Sequence, residues 1–175
     1  MQPTQDNPNK IKTINKGQIL LSRGDIATKT YFVRKGLLRS YTIDEKGKEH
    51  IFMFAPENWI ITDMVSQIYN IPSDLYIDAL EETEVELLDK DTFEQMNKTQ
   101  SNTVSTEVER LMKRAAVLQK RVLLLMSATA KERYEDFIKT YPNIVQRVPQ
   151  KMIASYLGIT PEALSKIRGE ITRNK

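Results

Sequence analysis

The 175-residue sequence is 40% apolar and 28% charged, ordinary for a globular chain with one large core or two small ones. No apolar run approaches the roughly 18 residues that span a bilayer, and the longest solid stretch is Val122–Met126. There is no cysteine, which excludes disulfides, thiol nucleophiles and cysteine-held clusters. With a polar start (residues 1–12) that has no signal-peptide centre, these features predict a cytoplasmic protein without a metal site. The net charge of +3 is unevenly placed: residues 1–100 carry 12 Lys+Arg against 16 Asp+Glu, and residues 101–175 carry 14 against 7. A basic C-terminal part suits a polyanion or is an ordinary solvated basic face, and charge alone leaves both readings open.

Residues 10–90 read as short strands separated by turns. Gln18–Leu21 is β-prone and stops at Ser22-Arg23-Gly24-Asp25. Tyr31–Arg34 and Leu37–Thr42 flank Lys35-Gly36, a two-residue hairpin signal, and Asp44–Gly47 is a second turn before the aromatic and branched run Glu49–Phe54. Tyr76–Ala79 and Glu84–Leu88 alternate polar and apolar positions as half-buried strands do. The carboxylates Glu81, Glu82, Glu84 and Glu86 read as a solvated strand edge, not a catalytic pair. Strands at this spacing predict a sandwich or roll.

The period then changes. Phe93 and Met96 suggest a short helix capped by Asp91. Thr103–Ser127 is the longest helical pattern: Val104, Val108, Leu111, Ala115, Leu118, Val122 and Leu125 step by four and three, an a/d seam over three heptads. A seam this regular on an otherwise charged helix predicts a partner helix from a second copy, against the alternative of a core helix. Thr129–Tyr141 follows as an amphipathic helix ended by Tyr141-Pro142-Asn143.

The constellation that carries function is Gln150 to Gly169. A short helix runs to Leu157, Gly158 permits a sharp left-handed exit, Thr160 caps a second helix, and Pro161 occupies its first position, where a missing N–H costs nothing. Ile153, Ala154, Leu157, Ile159, Leu164 and Ile167 stand where two helices crossing steeply must meet. At about 100° per residue, Leu164, Ile167 and Ile171 face inward. Glu162, Lys166, Gly169 and Arg173 share the opposite face, with Ser165 at its edge. Such groups read base edges in a major groove. Arg168 points sideways, toward phosphate, and Gln150, Lys151 and Ser155 can hold the backbone from the first helix. An enzyme reading finds no catalytic residues: there is one histidine, no Gly-rich phosphate loop and no metal-ligand cluster.

The order of strands, a long seam-bearing helix and a C-terminal helix-turn-helix resembles the CRP/FNR superfamily of bacterial transcription regulators, over nearly the whole chain. Gly24-Asp25, Thr30–Gly36 and Thr42–Met53 resemble the family's roll segments. The resemblance implies an α+β fold: an antiparallel cyclic-nucleotide-binding-like β-roll (1–100), a dimerisation helix (101–127) and a helix-turn-helix domain (128–175). It implies a homodimer on near-palindromic double-stranded DNA, with half-sites about 34 Å apart, and RNA polymerase as a further partner if the protein activates. Base-reading positions of the family fall at Pro161, Glu162 and Lys166, where Pro161 replaces a usual Arg.

The family's phosphate-binding cassette would occupy about 57–79. Its usual Gly-Glu region reads Trp59-Ile60-Ile61-Thr62-Asp63, and its Arg-Ser region reads Pro72-Ser73-Asp74-Leu75. Ile61, Thr62, Asp63, Ser73 and Asp74 are the positions that would meet a ligand. Asp74 sets a negative charge where a phosphate belongs, so cyclic AMP is not expected as effector and no cofactor is expected. His50 reads as surface. The family often adds a β-wing after the recognition helix, and the sequence ends at Lys175, so the expectation is a short DNA module leaning on phosphate contacts. The alternative is a ligand-sensing roll with some ligand under Trp59, Met64 and Tyr76 and without DNA-binding activity.

Overall fold

A computed structural model describes residues 11–89 and 102–173. The Asp91-capped helix expected around Phe93 and Met96 lies outside the described residues. In chain order the elements are β1 (Ile11–Ile14), β2 (Ile19–Leu21), β3 (Lys29–Lys35), β4 (Leu38–Ile43), β5 (Glu49–Ala55), β6 (Ile60–Ile61), α1 (Met64–Tyr69), β7 (Tyr76–Ala79) and β8 (Thr83–Asp89). Helices α2 (Asn102–Ser127), α3 (Ala130–Thr140), α4 (Ile144–Arg147), α5 (Gln150–Leu157) and α6 (Pro161–Arg173) follow. This is the expected α+β arrangement of an eight-stranded antiparallel roll followed by helices.

The strands form two four-stranded sheets, in the orders β1-β8-β3-β6 and β2-β7-β4-β5. In the first, β3 and β8 pair antiparallel with Phe32 opposite Glu86. Phe32, Ile60 and Leu88 cluster in its core. In the second, Arg39 on β4 grips Asp78 on β7 with two hydrogen bonds, Nε to Oδ1 at 2.8 Å and Nη2 to Oδ2 at 2.9 Å. Both side chains are buried, so each charge relies on the other for what water no longer supplies.

Two sequence expectations change here. Lys35-Gly36 does not close a hairpin: β3 and β4 belong to different sheets, and Gly36, at φ +98, is the corner where the chain crosses. A hairpin signal reads only the turn residues, and a corner between sheets needs the same left-handed freedom. Nor is Glu86 on a solvated edge. Strand β8 lies between β1 and β3, and Glu86 is buried, accepting from Arg34 Nε at 2.8 Å and also from its Nη2.

By density of contacts the chain divides into two units, Met1–Ser40 with Phe54–Leu111, and Tyr41–Met53 with Met112–Lys175. The β4–β5 hairpin thus goes with the C-terminal helices. Its outer strand has helix side chains on its backbone. Arg121 of α2 donates to the carbonyls of Ile51 (3.0 Å) and Phe52. Within this second unit, α3, α5 and α6 pack on one another. Phe137, Tyr141 and Tyr156 form an aromatic knot with ring centroids 5.3–5.7 Å apart. Burial raises the Tyr141 and Tyr156 hydroxyls above their ordinary range.

Candidate nucleic-acid interface

The turn between α5 and α6 is built as its residue types require. Gly158 takes the left-handed conformation (φ 66, ψ 36), and its N–H and that of Ile159 close the end of α5 on the Ala154 carbonyl. Thr160 Oγ1 accepts from the Ala163 N–H at 3.2 Å, the side-chain cap expected of it, and Pro161 opens α6. Ile153, Ala154, Leu157 and Leu164 are each 2% exposed or less, and Ile167 is 8% exposed. The apolar residues that must meet across a helix-turn-helix are therefore the ones removed from water, while Ile159 in the turn is half-buried.

That packing decides which side chains face outward. Glu162, Ser165, Lys166 and Arg173 are exposed on α6, as are Gln150, Lys151, Thr160 and Pro161 around the helix starts. Arg168 and Gly169 are half-buried, and nothing lies within 4 Å of where a Cβ on Gly169 would stand, so a partner surface can come close there. The Glu162 carboxylate accepts from its own backbone N–H and from the Thr160 hydroxyl, which holds its pKa below the usual carboxylate range. Lys151 stands in the first turn of α5, which has no acidic residue. A cation beside the positive end of a helix dipole is locally unfavourable. A polyanion laid across that end reverses the sign.

Ser155 behaves otherwise than expected. Its hydroxyl accepts from the Ile51 N–H at 3.0 Å and donates to the Glu49 carbonyl at 2.9 Å. It closes the outer edge of β5 and is not directed to a phosphate. No pattern in α5 announces this, because the partner is more than a hundred residues away in sequence. The partners of Arg121 are likewise distant in sequence. Besides its two carbonyls on β5 it donates to the Tyr156 carbonyl at 2.8 Å and stacks 4.0 Å above the Tyr156 ring. Burial lowers its pKa.

The cassette-equivalent residues are occupied with one another. Asp63 caps α1, accepting from the N–H groups of Val65 (3.0 Å) and Ser66 (3.2 Å) through one oxygen. Through the other it accepts from the Ser73 hydroxyl at 2.7 Å. Thr62 donates to the Lys29 carbonyl at 3.0 Å, and Ile61 is wholly buried. Asp74 is exposed, with Arg23 at 4.0 Å. The expected ligand positions thus split into four buried structural residues and one surface carboxylate, since an aspartate at a helix start with a serine in reach satisfies itself. His50 lies at the surface, with Nε2 2.8 Å from Asp44 Oδ2. Among the described residues no cluster of side chains suited to a metal ion is found, and no helix is long and apolar enough to cross a membrane.

Comparison with known proteins places this geometry. The family described as the cyclic nucleotide-binding domain matches residues 11–100. The fumarate and nitrate reduction regulatory protein of Yersinia pestis is 30% identical over 93% of this chain and 69% of its own length. The anaerobic regulatory protein of Haemophilus influenzae is 30% identical over 93% and 66%. The chain therefore spans about two thirds of these relatives. In fold, it is similar to FixK2 from Bradyrhizobium japonicum, with a TM-score of 0.78 at 19% identity over 95% of this chain and 85% of that one.

Proposed function

Because the chain belongs to the CRP/FNR family of transcription regulators, we propose that α6 is its recognition helix and that it reads double-stranded DNA as a homodimer. Glu162, Ser165, Lys166, Gly169 and Arg173 meet base edges. Pro161 stands at a base-reading position of the family, while Gln150, Lys151, Thr160 and Arg168 meet the phosphate backbone. The observation that carries this reading is the sorting of α6, with Leu164 and Ile167 buried and Glu162, Lys166 and Arg173 exposed together on the other side.

The seam of α2 supports the dimer. In a single chain Val108, Val122 and Leu125 remain 48%, 55% and 42% exposed. Apolar groups at heptad spacing left in water mark a face that another helix covers. In this reading residues 1–100 form an effector-type roll, 101–127 the dimerisation helix and 128–175 the DNA-binding domain. The protein is not an enzyme, acts in the cytoplasm, and engages RNA polymerase where it activates. The internal bonding of Asp63 and Ser73 favours an effector other than cyclic AMP. The relatives named above are themselves regulatory proteins, which favours this function over a ligand-sensing module without DNA.

The test is a binding titration of the full chain with a duplex it selects from random DNA and with a scrambled duplex. Lys166→Ala is expected to lose about 1–3 kcal/mol on the selected site and to relax its base preference. A variant that binds both duplexes like wild type would remove α6 from the role of reader.

A further inference from the structure

Between the turn of the β4–β5 hairpin and the helix-turn-helix lies an open cleft of about 390 Å³. One wall is Gly47, Lys48, Glu49 and Ile51 from the hairpin. The other includes Lys151, Met152, Ser155, Ile159, Thr160 and Pro161. Two of the second set, Lys151 and Thr160, belong to the phosphate-contacting side of the interface proposed above. On that reading the cleft opens onto the path of the DNA backbone.

We propose that the β4–β5 hairpin is part of the DNA interface: Lys48 extends the phosphate track of Lys151 across the cleft, and Ser155 holds the hairpin in place to do so. The proposal rests on the DNA-binding reading and adds to it a contact from outside the helix-turn-helix. Three observations carry it. First, Lys48 and Lys151 line the same open space from opposite sides, both exposed and neither ion-paired among the described residues. Two ammonium groups against the single carboxylate of Glu49 leave the lining positive, as a polyanion requires. Second, Asp44 in the same turn does not oppose it. Its carboxylate is bent back on its own turn, accepting from the Lys46 and Lys48 N–H groups at 2.9 and 3.0 Å and facing His50. Third, the hairpin is fixed to α5: the Ser155 hydroxyl bonds the Glu49 carbonyl, one residue beyond Lys48, and the Ile51 N–H. A lysine on a turn so tethered loses less freedom on meeting a phosphate than one on a free loop.

Ser155 is thus a positioning residue, and its effect should pass through Lys48. The experiment uses fluorescence anisotropy with the full chain, a duplex it selects from random DNA and a scrambled duplex, over a series of salt concentrations. Lys48→Ala is expected to weaken both duplexes by the same factor, roughly three- to tenfold, and to reduce the slope of log affinity against log salt by about one. Lys48→Arg should restore both. Ser155→Ala should weaken binding in the wild-type background and add nothing to Lys48→Ala. Lys46→Ala, which removes the same charge from the same turn but not from the cleft, should change the slope less. Lys48→Ala binding like wild type while Lys166→Ala loses site preference would overturn the hairpin contact and leave the recognition helix standing. An equal loss from Lys46→Ala would also overturn it, reducing the effect to diffuse charge. Failure of wild type to bind any duplex would overturn the DNA-binding reading itself.

Discussion

Single residues separate the positions where side-chain chemistry is decided locally from those decided by distant neighbours. Gly36 is the sharpest case. At φ +98, a Cβ there would stand 2.6 Å from Thr83 Oγ1 and 2.7 Å from the Glu82 carbonyl. Gly17 is also left-handed, at φ +78, but has nothing within 4 Å. Gly17→Ala should therefore lose only the backbone strain, about 1 kcal/mol, whereas Gly36→Ala should lose about 2–4 kcal/mol as strain and collision add. Chemical denaturation of the two variants measures the difference. Equal losses would mean that the β8 backbone yields to the added methyl. The glycine and its turn are visible in the sequence. Its place at a corner between sheets is not, because Thr83 and Glu82 approach it from more than forty residues away. Glu86 and Ser155 depart from their sequence expectations for the same cause. Each has polar chemistry suited to a surface, and each is claimed by a partner, Arg34 or the β5 edge, that no local pattern connects to it.

At the level of elements, the α-helical readings transferred well because their signals are local. Thr129 caps α3 with a complete capping box: Glu132 N–H meets the Thr129 hydroxyl, and the Glu132 carboxylate returns to the Thr129 N–H at 2.8 Å. Those bonds lower the Glu132 pKa. Gly158, Thr160 and Pro161 punctuate α5 and α6 at the positions their side chains dictate. The short elements β1, β6, α1 and α4 were not legible. Two to six residues give too few periods to register, and they form because neighbours supply their partners. The α2 seam leaves Val108, Val122 and Leu125 exposed in one chain, and its proposed partner is a second copy. Val122→Lys puts a charge at a site 55% exposed in one chain, so the fold should survive with its helical circular dichroism intact. Sedimentation should then shift from dimer toward monomer, with DNA affinity falling alongside. A Val122→Lys protein that sediments as wild type would leave the seam without its partner.

For the molecule as a whole, the proposed effector role of the roll turns on its cassette-equivalent region. In the cassette-equivalent region Asp63 uses both oxygens internally and Ser73 is 2% exposed. A cyclic phosphate would have to displace a buried hydrogen bond and sit near Asp74 without an arginine from this segment to receive it. Calorimetry of the full chain with cyclic AMP and with cyclic GMP is expected to record no binding heat at micromolar ligand. Micromolar affinity for either would mean that the Asp63–Ser73 bond opens readily and that the site was only closed. The same scale explains why the hairpin was assigned by sequence to the roll alone: chain order places residues 41–53 among the strands, while their contacts run to the helices.

The sequence by itself determined the helix-turn-helix, the outward face of α6, the heptad spacing of α2 and the absence of the family's usual cyclic-nucleotide residues. Each of these depends on residue type and spacing within a few turns of chain. The tertiary structure alone decided that Gly36 is a corner, that Glu86 is buried, that Asp63 and Ser73 hold each other, and that Ser155 and Arg121 bind the edge of β5. Those are pairings between residues far apart in sequence, fixed by which backbone groups packing leaves without water and which side chains can reach them.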